Sequence, residues 1–149
     1  MKKVHVVTLA LAFSLVFILG TAFLAAPVHA YSGDGTDPHS TGCDSDAISE
    51  YQVTIHYINS YGILELRHSY SCDTAWARFT CFQNACTNYG LYVKRYSDGL
   101  AERVNVSLPS TTHNGAHIYT LQLYDAPGLD DEACFYDNNS QDTKCTNYY

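Results

Sequence analysis

Apolar and polar side chains alternate one by one along Tyr51, Gln52, Val53, Thr54, Ile55, His56 and Tyr57, and this period of two decides the fold class. Successive side chains of a strand point to opposite faces, so a segment written this way buries one face and wets the other. The spelling recurs along the chain. Ile63, Leu64 and Leu66 with Glu65 and Arg67 predict a second strand, and Thr74 to Cys81 a third. On that third strand Trp76, Arg78 and Thr80 share one face and Ala75, Ala77, Phe79 and Cys81 the other, the small alanines implying something bulky packed over them. Leu91 to Tyr96 and Ala101 to Leu108 flank Ser97-Asp98-Gly99, a hairpin turn because Asp-Gly tolerates the positive φ that tight turns demand. His117 to Tyr124 alternates again, and Ala133 to Asp137 and Thr143 to Tyr148 flank Asn138-Asn139-Ser140. Asn59-Ser60-Tyr61-Gly62 and Pro127-Gly128 with Asp130-Asp131-Glu132 read as further turns and loops. No window has a helical period, and seven or eight short strands at this spacing predict an all-β domain, a small antiparallel sandwich or barrel.

The N-terminus has a different grammar. Met1-Lys2-Lys3 precedes an apolar run from Val6 to Phe23, and Val28-His29-Ala30 places small side chains at the third and first positions before a cut. This predicts a signal peptide over 1–30, cleaved after Ala30. A retained anchor is the alternative, since roughly 20 apolar residues span a bilayer. No cysteine follows the run until Cys43, which argues against a lipoprotein, and Thr146-Asn147-Tyr148-Tyr149 is no apolar tail. The expected organisation is a signal peptide over 1–30, an irregular segment rich in Gly, Asp, Ser and Pro over 31–50, and a β domain over 51–149. The expected location is secreted and extracellular, with no membrane association after cleavage. Without Lys2 and Lys3, six basic residues face 15 acidic ones. Such a domain repels phosphate backbones, so neither nucleic acid nor anionic lipid is an expected partner.

Six cysteines, Cys43, Cys72, Cys81, Cys86, Cys134 and Cys145, all follow the predicted cleavage site. An even number in an exported chain predicts disulfides. A zinc site is not expected, because no Cys-x-x-Cys occurs and the gap from Cys81 to Cys86 has no second pair of matching form. Fifteen pairings are possible for six cysteines. Turn geometry favours two bonds: a turn at Gln83-Asn84 sets Cys81 opposite Cys86, and one near Asn139-Ser140 does the same for Cys134 and Cys145. The 13 tyrosines suit a pleated, half-buried surface, and tyrosine clusters also make sugar- and peptide-binding faces.

Two stretches carry a resemblance. The first is Asp37-Pro38, then Thr41-Gly42-Cys43 and Asp46-Ala47; the second runs from Glu65-Leu66-Arg67-His68-Ser69 through Cys72 to Thr74-Ala75-Trp76-Ala77-Arg78. They resemble a family of small exported bacterial proteins, a domain of unknown function. Its pattern is Asp-Pro, then Thr-Gly-Cys, then Glu-Leu-Arg-Tyr-Ser and Cys-x-Thr-Ala-Trp-Ala-Arg. This chain departs at His68, where that family usually has tyrosine. The match covers Asp37 to Arg78, about a third of the domain. The resemblance implies a bacterial extracytoplasmic domain with Cys43 and Cys72 as its shared pair, and it implies no reaction. The expected scheme is therefore Cys43–Cys72, Cys81–Cys86 and Cys134–Cys145.

Read from the residues themselves, Glu65, Arg67, Trp76 and Arg78 form a structural core motif. Thr74, Trp76 and Arg78 alternate along one face, so the guanidinium can lie against the indole, a contact worth about 0.5–2 kcal/mol. Glu65 and Arg67 also share a face and can pair with Arg78 or with each other.

A hydrolase of phosphodiesterase or nuclease type would need Glu65, Arg67, His68 and Arg78 as base, phosphate clamp and acid. An acidic surface disfavours a polyanionic substrate. No Gly-x-Ser-x-Gly elbow occurs, and oxidised cysteines exclude thiol catalysis. His113 and His117 bracket a turn at Asn114-Gly115, which does not align them for a metal. Asp34/Asp37, Asp44/Asp46 and Asp130-Asp131-Glu132 lack the spacing of a known calcium loop. The reading is a secreted non-enzymatic β domain with no catalytic residue, metal or cofactor, binding a cell-wall polymer or a protein partner. A small secreted enzyme is the alternative. A concave site gathering His68, Glu65 and an arginine would favour the enzyme, and a flat tyrosine patch the binder.

Overall fold

The alternating segments form two antiparallel sheets in a computed structural model that describes residues 31–57, 60–82, 86–108 and 115–149. The expected signal peptide over 1–30, the expected turn at Gln83-Asn84, and Asn59, His113 and Asn114 lie outside the described residues. In chain order the strands are β1 (Ile48–Tyr57), β2 (Ser60–Ser69), β3 (Thr74–Cys81), β4 (Cys86–Arg95), β5 (Ala101–Leu108), β6 (Ala116–Tyr119), β7 (Leu123–Tyr124), β8 (Asp131–Asp137) and β9 (Thr143–Cys145). The first sheet is ordered β1-β2-β3-β6, with β7 also on β3, and the second β5-β4-β8-β9.

Three local features depart from simple alternation. The segment expected to be irregular over 31–50 holds the helical turn α1 (Pro38–Thr41), a 3-10 turn (Cys43–Ser45) and the first residues of β1. Asp37 caps α1 by accepting from the His39 and Ser40 amides, Pro38 occupies the first turn, and Gly42 ends it at φ 79°. These are the residues that start and stop a helix. The stretch His117 to Tyr124, expected as one strand, splits into β6 and β7. Between them the Thr120 hydroxyl takes the Ala77 amide at 3.2 Å in place of a ladder carbonyl. Gln122 turns to the N-terminal segment, donating to Thr36 Oγ1 at 2.8 Å. Of the last expected strand, only Thr143–Cys145 pairs as a strand.

The inner faces meet in one apolar cluster. Ile55, Leu64, Leu66, Ala75, Ala77 and Phe79 come from the first sheet and Leu91, Val93, Val106, Ala133 and Phe135 from the second. Phe79 and Phe135 meet across the interface with ring centroids 4.2 Å apart and planes tilted by 35°. Gly62 is required beside them, because a Cβ there would lie 2.2 Å from the Thr80 carbonyl oxygen and 2.5 Å from the Phe79 ring.

Three disulfides staple this sandwich. Cys43–Cys72 ties the 3-10 turn to the β2–β3 turn, Cys81–Cys86 joins the end of β3 to the start of β4, and Cys134–Cys145 closes β8 onto β9. Among the described residues, no helix is long and apolar enough to cross a membrane.

Candidate functional site

The outer face of the first sheet carries the motif residues, because 65, 67, 76 and 78 all point away from the core. The register sets Glu65 opposite Arg78 and Arg67 opposite Trp76, while β6 brings Tyr119 beside Arg78 and His117 beside Thr80. Arg78 grips Glu65 with two donors, Nε at 2.6 Å and Nη2 at 2.8 Å. The Ser49 hydroxyl also donates to Glu65 and accepts from Arg67 Nη1 at 2.7 Å. Arg67 Nη2 donates to the Ala47 carbonyl. Burial pushes the Glu65 carboxyl up, but the hydrogen bonds from Arg78 and Ser49 and the two guanidinium charges outweigh it and leave the group below its ordinary value. The expected stacking of Arg78 on Trp76 is not formed: the carboxylate opposite offers charged hydrogen bonds, which outcompete a ring face. Among the described residues the cation–π contacts are Lys94 on Tyr96, Arg95 on Tyr31 and Arg103 on Tyr92.

Above this face α1 and the 3-10 turn form a wall, leaving a half-open cleft of about 380 Å³. Trp76, only 3% exposed, lines it together with Tyr119, and Arg67 and Arg78 supply its cationic side. Pro38, His39, Asp44 and His117 complete the lining. His39 Nδ1 lies 2.7 Å from Asp44 Oδ2. That hydrogen bond and the carboxylate charge raise the imidazole above its ordinary value. Arg78 is 31% exposed along its side chain, and its Nη1 makes no hydrogen bond among the described residues. The cleft therefore presents a guanidinium edge beside an indole and a phenol.

Of the residues of the hydrolase reading, Glu65, Arg67 and Arg78 come together and His68 does not. His68 is one residue from Arg67 and so lies on the opposite face of β2, in the interior, 3% exposed. Its Nε2 is 3.8 Å from Asp125 Oδ2 and its Nδ1 4.0 Å from Glu50 Oε1. The concave site thus holds both arginines with His39 and His117, without His68. The exposed tyrosines form separate small groups: Tyr61 with His56 and Phe82, Tyr96 with Tyr148, and Tyr70 with Tyr149.

The acidic pairs go to separate tasks. Asp34 pairs with Arg95 at 2.8 Å and Asp37 caps α1, while Asp44 meets His39. Asp46 accepts from Ser69 Oγ at 2.6 Å and from the Ser71 amide at 2.8 Å. The convergence of Glu132 with Cys134 and Cys145 offers no thiolate, because both sulfurs are joined in a disulfide. Sequence reasoning missed His39 and Tyr119 as cleft residues, and noticed His117 only beside His113. The cap pattern around Asp37 could have placed His39 on a helical turn, but only the cross-strand register brings Tyr119 and His117 beside β3.

A relative in Bacillus subtilis (strain 168), the uncharacterized protein YjfA, is 25% identical over 135 residues, which cover 84% of this chain and 83% of that protein. No solved structure matches the chain. The sequence pattern of one family, "Protein of unknown function (DUF2690)", matches residues 29–134, a span that holds both motif segments and the residues that line the outer-face cleft, and the chain belongs to that family.

Proposed function

We propose that the protein is exported and acts as a non-enzymatic binding module of the bacterial envelope, taking into the outer-face cleft a polymer segment that carries an isolated carboxylate or phosphate. The observation that carries this is the donor set of Arg78. Two of its nitrogens are fixed by Glu65, which locks the guanidinium in place, and the residue lines a cleft beside Trp76 and Tyr119. A guanidinium held in this way binds one anionic group well. The rings beside it offer contact area to a sugar or peptide chain. The surrounding domain is strongly acidic and repels dense polyanions, which favours a segment with widely spaced charge.

Export is supported by the basic and apolar N-terminus of the sequence and by three disulfides, which persist outside the cytoplasm. An enzymatic role finds less support, since Glu65 is committed to Arg78 and Ser49 and His68 faces away.

Calorimetric titration of the oxidised protein with soluble envelope fragments tests the proposal. Saturable binding is expected, with fragments recovered unchanged by mass spectrometry. Arg78→Ala and Tyr119→Ala should each weaken it roughly tenfold, about 1.4 kcal/mol. Absence of binding to any carboxylate- or phosphate-bearing fragment, full affinity in both variants, or recovery of cleaved fragments would each overturn it.

A further inference from the structure

The apolar interior becomes charged at one end of the sandwich. There β2 contributes His68, β4 contributes Arg95 and β8 contributes Asp131, all buried. A second cleft of about 250 Å³ opens beside them, between the β2–β3 turn and the loop that follows β7, with His68, Asp125, Tyr70, Asp73, Gly128 and Tyr149 in its lining. His68 and Asp125 are both more than nine-tenths buried. Yet neither ring nitrogen of His68 has a hydrogen-bond partner among the described residues, and nor does Oδ2 of Asp125. Leaving such groups unpaired costs about 1–3 kcal/mol each.

The geometry says what would satisfy them. His68 Nε2 and Asp125 Oδ2 stand 3.8 Å apart. That is too long for a mutual hydrogen bond, but one donor atom could sit about 2.9 Å from both. Carboxylates surround the spot: Glu50 lies 4.0 Å from the other ring nitrogen, and Asp73 lines the cleft with Asp125. The charge of Arg95 offsets them only in part, and its donors are taken by Asp34, Asp98 and the Tyr124 carbonyl. The rings of Tyr70 and Tyr149 stand 4.6 and 5.1 Å from the imidazole.

We propose that this cleft binds a primary ammonium group, seated between His68 Nε2 and Asp125 Oδ2 with the two tyrosine rings beside it. An ammonium has three donors and no acceptor, which complements a cleft of acceptors, and aromatic faces attract it further. Burial outweighs the neighbouring carboxylates and lowers the pKa of His68, which favours the neutral ring with one nitrogen as an acceptor. A metal ion fits less well, since calcium takes six to eight oxygens and no three His, Cys, Asp or Glu side chains converge here among the described residues.

The test is an NMR titration of the oxidised protein with n-butylammonium chloride, with n-butanol and sodium chloride at matched ionic strength as controls. Saturable shifts of the Asp125, Gly128 and Tyr149 amides are expected with butylammonium alone. Asp125→Asn should weaken binding roughly tenfold or more, and Asp73→Asn, which suits the positive φ of 49° there, by a smaller factor. Tyr119→Ala in the outer-face cleft should leave it unchanged, which separates this proposal from the envelope-binding one. Shifts that do not saturate, an equal response to butanol, or full affinity in Asp125→Asn would mean that solvent alone fills the cleft and would overturn the proposal. Should Asp125→Asn fail to fold, unchanged affinity in Asp73→Asn overturns it.

Discussion

Arg95 is fully buried and uses all five of its N–H donors, two on Asp34, two on Asp98 and one on the Tyr124 carbonyl. Tyr31 covers its guanidinium at 4.7 Å. A buried cation is tolerable when satisfied to this degree. The consequence falls on Asp131, which the register places opposite Arg95 but which finds no donor left: both of its oxygens are buried and unpaired among the described residues. Burial, with the nearby Asp125 carboxyl, pushes Asp131 up to about 8, and burial takes Asp125 to about 6. The native state therefore holds a proton on Asp131 that the unfolded chain releases near pH 4. That contribution to stability is fully present at low pH and is lost as pH rises through about 8. Asp131→Asn keeps the neutral form at every pH. Compared with the parent by chemical denaturation, it should gain relative stability steadily from pH 5 to 8.5, reaching a few kcal/mol at about 1.4 kcal/mol per pKa unit. A difference that does not change with pH would show that Asp131 is ionised in the fold. Nothing in Asp130-Asp131-Glu132 as a string distinguishes this buried acid from its solvated neighbours, because burial here is decided by alternation along β8 and by partners far away in sequence.

At the scale of elements, strands such as Tyr51 to Tyr57 were legible because one-sided burial forces a period of two. The hairpin at Ser97-Asp98-Gly99 was legible because Gly99 adopts φ 74°, which its residue type permits. The helical turn was not, although Asp37, Pro38 and Gly42 are cap residues: one turn is too short to show a period of 3.6. The split between β6 and β7 was hidden because Thr120 and Gln122 keep the alternation while their side chains replace the ladder. The cleft was half legible. Its arginines and Trp76 followed from strand parity, whereas its wall depends on how α1 is fastened. That fastening is Cys43–Cys72, which closes 29 residues against 5 and 11 for the other two bonds. Loop-closure entropy grows with length, so its loss should be the most damaging. Replacing Cys43 and Cys72 together by Ser is expected to cost about 2–5 kcal/mol and to shift the fluorescence of Trp76 to the red as α1 lifts away. Equal melting midpoints for this variant and one lacking Cys81 and Cys86 would contradict the ranking.

Over the whole molecule, charge is sorted by location. Apart from the N-terminal lysines, six basic residues face 15 acidic ones, yet two of the arginines line one cleft while carboxylates crowd the other. A domain so divided can hold oppositely charged groups at separate places. The export proposed above carries its own check: intact-mass analysis of culture medium should find a chain beginning at Tyr31, and a secreted species that retains Met1 would contradict it. The cross-link at the N-terminal turn also governs how the molecule carries load. As open chain, the 29-residue span from Cys43 to Cys72 would reach about 100 Å at roughly 3.4 Å per residue, and the bond holds its ends 5.8 Å apart between Cα atoms. Pulled by its two ends, the oxidised domain passes tension through the cross-link from the N-terminal turn to the β2–β3 turn, and the backbone of β1 and β2 lies off that covalent path.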